Sequence, residues 1–156
     1  MNDDRILTPA EAWPHVPPLV AARFAAKVLI GTRDECWIWT GGIESDHGYA
    51  RWRVPGGKVV AAHRWSFTAH HGRPPTPVGR HVCDIRCCVN PWCLRDGTQA
   101  ENIADMIRRG AWTKTANTGP RSWPTFAYRL RDAARTGDRR AVRELLERPS
   151  IQYALF

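Results

Sequence analysis

The sequence predicts an α+β domain built around a structural zinc site, with a helix before that core and a helical extension after it. Three observations support this fold class. Four of the five cysteines lie between residues 83 and 93. A strong hairpin signal, Pro55-Gly56-Gly57, separates two β-prone runs. Apolar residues recur at helical spacing near both ends of the chain.

The cysteine spacing indicates a metal site. Cys83, Cys88 and Cys93 form the pattern C-x4-C-x4-C. Short loops between soft ligands allow one chain to fold around a tetrahedral ion, and thiolates suit zinc. An odd, clustered set of cysteines argues against a secreted disulfide framework and favours metal binding in a reducing compartment. The alternative, that these are ordinary buried cysteines, is weaker, because four thiols so close in sequence are hard to bury together unless they share a role.

Charge and length limit the class of protein. A chain of 156 residues makes one domain, with short appendages. The formal net charge is +8, and only three of the 23 basic residues are lysines. Guanidinium groups bind phosphate in a bidentate fork, so this balance favours nucleic acid, although a GC-rich genome would also raise the arginine content. The sequence shows no signal peptide or membrane-spanning apolar run, which predicts an intracellular, cytoplasmic protein without a membrane partner.

The N-terminal half is predicted to hold an arm, a helix, a hairpin and a second helix. Residues 1–16 read as an extended arm, and a helix begins at Pro17-Pro18 and ends before Gly31. Residues 36–40 form a short strand, and residues 48–54 and 58–62 form the hairpin. Alternation along the first hairpin strand gives it a cationic face with Arg51 and Arg53. The helix at 62–71 ends at Gly72.

The C-terminal part is predicted to be a linker followed by two amphipathic helices. Residues 113–124 are rich in Thr, Asn, Gly and Pro, which is typical of a flexible linker. The extension at 125–156 then holds helices at about 125–135 and 139–147. Their apolar faces must pack on the core or on a second copy of the chain, and the latter would make a homodimer.

Residues 81–110 carry a resemblance to a known family. They match the pattern H-x-C-D-x3-C-x-N-P-x-H-L followed by G-T-x3-N, except that Cys93 stands where histidine is usual. Both residue types bind zinc. Upstream motifs recur in the same order: R-F-x2-K-V, C-W-x-W-T-G, G-Y and A-H-R. The chain therefore resembles, over about residues 22–110, the zinc-bearing branch of the HNH endonucleases that is common in phage genomes.

The resemblance implies a fold, an activity and a partner. The fold is a ββα-metal nuclease domain, here assigned to residues 17–112. The activity is metal-dependent hydrolysis of phosphodiester bonds in double-stranded DNA, site-specific in the manner of a homing or a restriction enzyme, in a bacterial or phage-encoded protein. Cys36, in the C-W-x-W motif, becomes the fourth zinc ligand beside Cys83, Cys88 and Cys93. Cys87 competes for that place, although adjacent residues seldom both bind one ion.

The resemblance also assigns the chemistry. His81 is the general base, and Asn102 binds a catalytic divalent ion, Mg²⁺ or Mn²⁺. Asn90 braces the loop that carries His81. Many family members have aspartate just before the histidine as a second metal ligand, where this chain has Arg80. His63 is the leading substitute ligand, and its alternative role is that of a hydrogen-bonded core residue at a helix start.

Five arginines are predicted to contact DNA: Arg51, Arg53, Arg64, Arg80 and Arg108. Two other ligands for the catalytic ion are open. These are Asp84, which also suits bracing of the zinc loop, and Asp105, which also suits a salt bridge to Arg108 or Arg109. The competing functional interpretation is a catalytically inactive zinc-finger module that binds DNA, and Arg80 is its main support. A structural zinc protein that binds another protein would leave the cationic strand unexplained.

Overall fold

The structure is a computed structural model that describes residues 5–108 and 123–147. Within those ranges the chain is a mixture of helices and small sheets, so the predicted α+β class is confirmed. The described strands form three two-stranded antiparallel sheets, and in each sheet the two strands are consecutive in the chain. Short sheets of this kind gain stability only by packing on helices and on each other.

The N-terminal segment is more structured than the sequence predicts. Helix α1 (Pro9–Ala12) begins after Thr8, whose hydroxyl and the Glu11 carboxylate cap each other's backbone N–H groups. Trp13 follows and is completely buried, with its indole N–H donating to the Ser66 hydroxyl at 2.8 Å. The extended arm predicted for residues 1–16 is therefore wrong for this part of it. Burial of a large aromatic ring outweighs the proline-rich local composition.

Helix α2 (Pro18–Ala25) starts at the predicted proline but ends earlier than predicted. The chain turns directly into β1 (Val28–Leu29), which pairs antiparallel with β2 (Ile38–Trp39). Val28 and Leu29, which the helical periodicity places in the helix, therefore form a strand because they pair with the distant β2.

The central hairpin is confirmed. Strands β3 (Arg51–Arg53) and β4 (Val59–Ala61) pair in register, with Trp52 opposite Val60. Arg51 and Arg53 are exposed while Trp52 is buried, as the alternation predicts. Helix α3 (Ala62–His71) follows at once and ends at Gly72, which takes the left-handed conformation with φ 74°.

The cysteine-rich stretch forms a second hairpin followed by a helix. Strand β5 (Val78–His81) pairs with β6 (Leu94–Gly97), so that His81 lies opposite Leu94. A 3-10 turn (Pro91–Cys93) precedes β6. Helix α4 (Gln99–Arg108) follows β6 and packs against β5. At its start the Thr98 hydroxyl accepts from the Glu101 N–H at 3.1 Å, a cap that fixes where the helix begins.

Helices α5 (Trp123–Arg135) and α6 (Arg139–Glu147) form the described part of the C-terminal extension. Residues 113–122 of the predicted linker lie outside the described residues, and its last two residues open α5. Helix α5 packs on β1 and β2, and the Arg135 side chain donates to the Thr40 carbonyl at 2.8 Å. The apolar face of α5 is therefore covered by the core of its own chain.

The core is unusually aromatic. Phe24 lies at its centre, with ring centroids 4.9 Å from Trp13, 5.0 Å from Trp39 and 5.3 Å from Trp52. The contacts with Trp13 and Trp52 are edge-to-face, and such contacts add to the stability gained from burial. None of the helices in the two described ranges is long and apolar enough to cross a membrane.

Candidate metal centre and histidine pair

Four cysteine thiols converge at one point of the fold. The Sγ atoms of Cys36, Cys83, Cys88 and Cys93 all lie within 4.8 Å of one another. Cys88 is buried and the other three are half-buried. A closed set of four thiolates is the arrangement of a structural zinc site, so the cluster is able to hold a metal ion.

Backbone pairing brings the distant Cys36 to the other three cysteines. Ile38 in β2 forms an antiparallel bridge with Cys88. On either side of that bridge the Trp39 N–H donates to the Cys87 carbonyl at 3.0 Å, and the Val89 N–H donates to the Trp37 carbonyl at 2.9 Å. These bonds fix the register of β2 against the cysteine loop, and Cys36 precedes them in the chain.

Cys87 lies outside the four-thiol group. Its side chain is fully buried in the apolar core, and burial raises the pKa of its thiol to about 12. Within the group, hydrogen bonds from Cys36 lower the pKa of both Cys83 and Cys93. The geometry therefore groups Cys36, and not its competitor Cys87, with Cys83, Cys88 and Cys93, as the family resemblance implies.

Asn90 ties the two segments that supply these cysteines. Its side-chain amide donates to the carbonyls of Arg33 at 2.8 Å and Glu35 at 2.6 Å. Its side-chain oxygen accepts from the Trp92 N–H at 2.8 Å. The residue is fully buried, so these three bonds hold the Cys36 segment against the turn that carries Cys93.

His81 is fixed by the same loop. It ends β5, is 9 % exposed, and its Nε2 lies 2.9 Å from the Cys88 carbonyl. A carbonyl only accepts, so Nε2 carries the proton and the lone pair of the neutral ring is on Nδ1. The metal cluster and His81 are therefore connected through one residue, Cys88.

His63 lies beside His81. The two imidazole centroids are 4.7 Å apart, although the residues come from different elements, α3 and β5. His63 is 8 % exposed, and its buried Nδ1 has no hydrogen-bond partner among the described residues. Burial lowers its pKa well below 6.5, and repulsion by His81 when protonated and by Arg64 and Arg51 adds to this effect. His63 is therefore a neutral imidazole at pH 7, with a ring nitrogen that no described residue satisfies.

The arginine before His81 has a partner within the chain. The Arg80 guanidinium donates to the Asp105 carboxylate on α4 at 2.8 Å, and Arg108 forms an ion pair with the same carboxylate. The Arg80 side chain crosses Gly97 so closely that any Cβ there would collide with it. Arg80 and Asp105 are 21 % and 13 % exposed, so the pair is well shielded from water. Asp105 thus forms the predicted salt bridge with Arg108 and a second one with Arg80.

The other predicted residues are more dispersed. Asn102 lies half-buried on α4, the helix that packs against β5. Arg51 is paired with Glu44 at 3.0 Å, Arg53 donates to the Gly57 carbonyl at 2.8 Å, and Arg64 is exposed on α3. Asp84 occupies the left-handed region, φ 59°, in the turn after Cys83.

Two residues near the histidine pair have no role in the sequence prediction. The Tyr49 ring lies 5.5 Å from the His63 ring and 6.2 Å from the His81 ring, and the Arg86 guanidinium lies over Tyr49. The G-Y motif contains Tyr49, but nothing in its local pattern indicates a contact with either histidine.

Comparison with known proteins finds similarity to two phage proteins. The chain is 39% identical over 82 residues to Protein 7.7 of Escherichia phage T7, a match that covers 52% of this chain and 62% of the relative. It is 38% identical over 80 residues to Protein 2.8 of the same phage, covering 51% and 54%. The chain thus spans less than two thirds of the length of these relatives, and neither name states an activity. No family model and no solved structure matches.

Proposed function

We propose that this protein is a metal-dependent DNA endonuclease of the HNH type, with a structural zinc ion at the four cysteines. The observation that carries the proposal is the pair of neighbouring imidazoles, His81 and His63, joined to the cysteine cluster through the Cys88 carbonyl. A hairpin whose first strand ends in His81, followed by α4, agrees with the ββα-metal arrangement that the sequence resembles.

Zinc fits the cysteine cluster by ligand type and number. Four thiols within 4.8 Å leave no open position, which suits a structural ion and not a catalytic one. Its binding would join the Cys36 segment to the loop that carries His81, so metal binding and folding would be coupled.

The histidine pair supports the hydrolytic step. His81, with its lone pair on Nδ1, is suited to take a proton from an attacking water. When bound, a divalent ion such as Mg²⁺ or Mn²⁺ would stabilise the charge that develops on the phosphate. The Nδ1 of the neutral His63, which has no partner in the described part of the chain, fits a ligand for that ion. Asn102 on α4 is the second proposed ligand.

Positive charge supports double-stranded DNA as the substrate. The chain carries a net charge of +8, and Arg51 and Arg64 lie near enough to His63 to lower its pKa. Together with Arg53, Arg80 and Arg108 they are the proposed DNA contacts. Cutting at specific sites, of the homing or the restriction type, is part of this proposal, and so is a homodimer if both strands are cut at once.

An inactive DNA-binding module is the second candidate function. Arg80 favours it, because a guanidinium cannot bind a cation and its pairing with Asp105 engages a carboxylate of α4. Such a protein would bind DNA with a steep salt dependence and leave it intact.

Nicking of supercoiled plasmid separates the two functions. Zinc-loaded protein is incubated with plasmid, with and without Mg²⁺ or Mn²⁺, beside His81→Ala, His63→Ala and Asn102→Ala. Relaxed plasmid that appears only with the added ion and is lost in His81→Ala supports the nuclease. His71→Ala is the matched control, since His71 is an exposed histidine at the far end of α3. Intact plasmid together with a salt-dependent gel shift would support the binding module instead.

A further inference from the structure

A guanidinium contacts two aromatic rings, one of which lies beside the histidine pair. The Arg86 Cζ lies 5.2 Å from the centre of the Tyr49 ring and 4.9 Å from the centre of the Trp123 ring. Its Nη1 also donates to the His47 carbonyl at 2.8 Å. Flat guanidinium groups stack well on aromatic faces, and an ammonium group does so less well. Arg86 therefore joins three segments: the loop before β3, the cysteine loop and the start of α5.

One of these rings forms a wall of the candidate site. Tyr49 lies nearly parallel to His81, with centroids 6.2 Å apart at 29°, and 5.5 Å from His63 at 36°. Any shift of the Tyr49 ring would change the space available to both imidazoles. The second ring that Arg86 contacts, Trp123, is on α5. This helix lies outside residues 22–110, the segment that resembles the HNH nucleases.

The approach of α5 to this loop is close enough to exclude side chains. Gly48 has φ +80°, and a Cβ there would lie 2.9 Å from the Trp123 carbonyl oxygen and 3.1 Å from the Pro124 Cα. Only glycine satisfies both conditions. The Tyr128 hydroxyl also donates to the Ile43 carbonyl at 3.3 Å, which adds a second link between α5 and the same loop.

We propose that Arg86 is a positioning residue, which transmits the position of α5 to the His63–His81 pair through Tyr49, so that the C-terminal extension is part of the active site. The consequence for catalysis rests on the proposed function. The coupling of α5 to the two histidines does not rest on it, because the ring contacts exist whether or not the protein cuts DNA. A displacement of about 1 Å in a catalytic group can lower a rate by about a hundredfold.

The test compares Arg86→Lys with Arg131→Lys in the zinc-loaded full chain. Arg131 lies over the Tyr128 ring, with its Cζ 4.7 Å from the centroid, and is half-buried like Arg86. It is a matched control, since it also lies over an aromatic ring of α5 but does not contact Tyr49 or Trp123. Trp123→Leu removes the opposite ring and serves as the second variant if Arg86→Lys does not fold.

Two readouts are taken: the imidazole ring-proton NMR signals of His63 and His81, and the kcat and KM of plasmid nicking. We expect Arg86→Lys and Trp123→Leu to shift both sets of imidazole signals and to lower kcat about tenfold to a hundredfold with little change in KM. Arg131→Lys should change neither. A double variant should lose no more activity than the more severe single one, since both act through one contact.

The outcomes separate this inference from the proposed function. Unchanged imidazole signals in Arg86→Lys and Trp123→Leu would overturn the coupling, whether or not the wild-type protein nicks DNA. Shifted signals with an unchanged kcat would overturn the catalytic consequence. Absence of nicking by the wild type would refute the proposed function alone, and shifted signals would then still support the coupling of α5 to the histidines.

Discussion

Replacing Cys36 by alanine tests the metal centre. The thiol of Cys36 is one of four that lie within 4.8 Å of one another, and it is the one that β2 brings from the N-terminal half. Its loss would leave the proposed zinc ion with three ligands, all from the cysteine loop. Cys87→Ala is the matched control, because Cys87 lies directly beside Cys88 in sequence but outside the group.

The magnitude follows from the number of ligands. Structural zinc sites bind with about 10–16 kcal/mol near pH 7, which is about 3 kcal/mol for each of four ligands and on the order of a hundredfold in affinity. Cys87→Ala removes only a small, fully buried apolar side chain, so we expect a loss of about 1 kcal/mol in stability and no change in zinc affinity.

The assay measures zinc content after dialysis and the rate of zinc transfer to a chromogenic chelator. We expect one zinc per chain in the wild type and in Cys87→Ala, and in Cys36→Ala zinc that transfers far faster or is absent. The thermal midpoint should fall in Cys36→Ala and should depend on free zinc concentration. Zinc retained with wild-type affinity in Cys36→Ala but lost in Cys87→Ala would refute the assignment of the ligands.

Two further predictions concern residues around this centre. Asn90→Ala removes three buried hydrogen bonds to backbone groups and should lower the free energy of unfolding by about 2–4 kcal/mol in urea titrations; a loss below about 1 kcal/mol would contradict the bracing role. The pKa of His63 in the folded chain lies below its ordinary 6.5, so the unfolded chain takes up the proton first and stability should be lost as pH falls below about 6.5, by up to about 1.4 kcal/mol per pH unit. In His63→Asn this part of the slope should vanish, and an unchanged slope would show that His63 is not buried in its neutral form.

Local chemistry made much of the fold predictable. Helix α3 has the predicted bounds because Gly72 supplies the left-handed residue at its end. The hairpin of β3 and β4 follows from Pro55-Gly56-Gly57 and from strict alternation around Trp52. Helix α6 likewise spans Arg139–Glu147 as predicted, with the Asp138 carboxylate accepting from the Ala141 N–H at 2.9 Å.

The differences arise where distant residues decide the conformation. The sequence places Trp13 in an extended arm, because the hydrogen bond that holds it joins residues 53 positions apart, Trp13 and Ser66. The early end of α2 has the same origin, since β1 exists only by pairing with β2. Neither interaction leaves a local signal in the sequence.

The candidate site shows the same division. The spacing of three cysteines indicates a metal site, but only the pairing of β2 with the cysteine loop adds Cys36 geometrically. Similarly, the contact of His63 with His81 depends on how α3 packs against β5. The salt bridge between Arg80 and Asp105 joins a strand to a later helix, so the sequence, which offers Asp105 only an ion-ligand role or a salt bridge to Arg108 or Arg109, does not predict it.

The most direct test of the central claim is single-turnover nicking of supercoiled plasmid by zinc-loaded wild-type protein and His81→Ala, each with and without Mg²⁺. The account predicts relaxed plasmid only for the wild type with Mg²⁺, and a loss of about a hundredfold or more in His81→Ala with DNA binding retained. Equal nicking by both proteins would contradict the role of His81. DNA that stays intact while the protein binds it would contradict the nuclease and leave a zinc-dependent DNA-binding module.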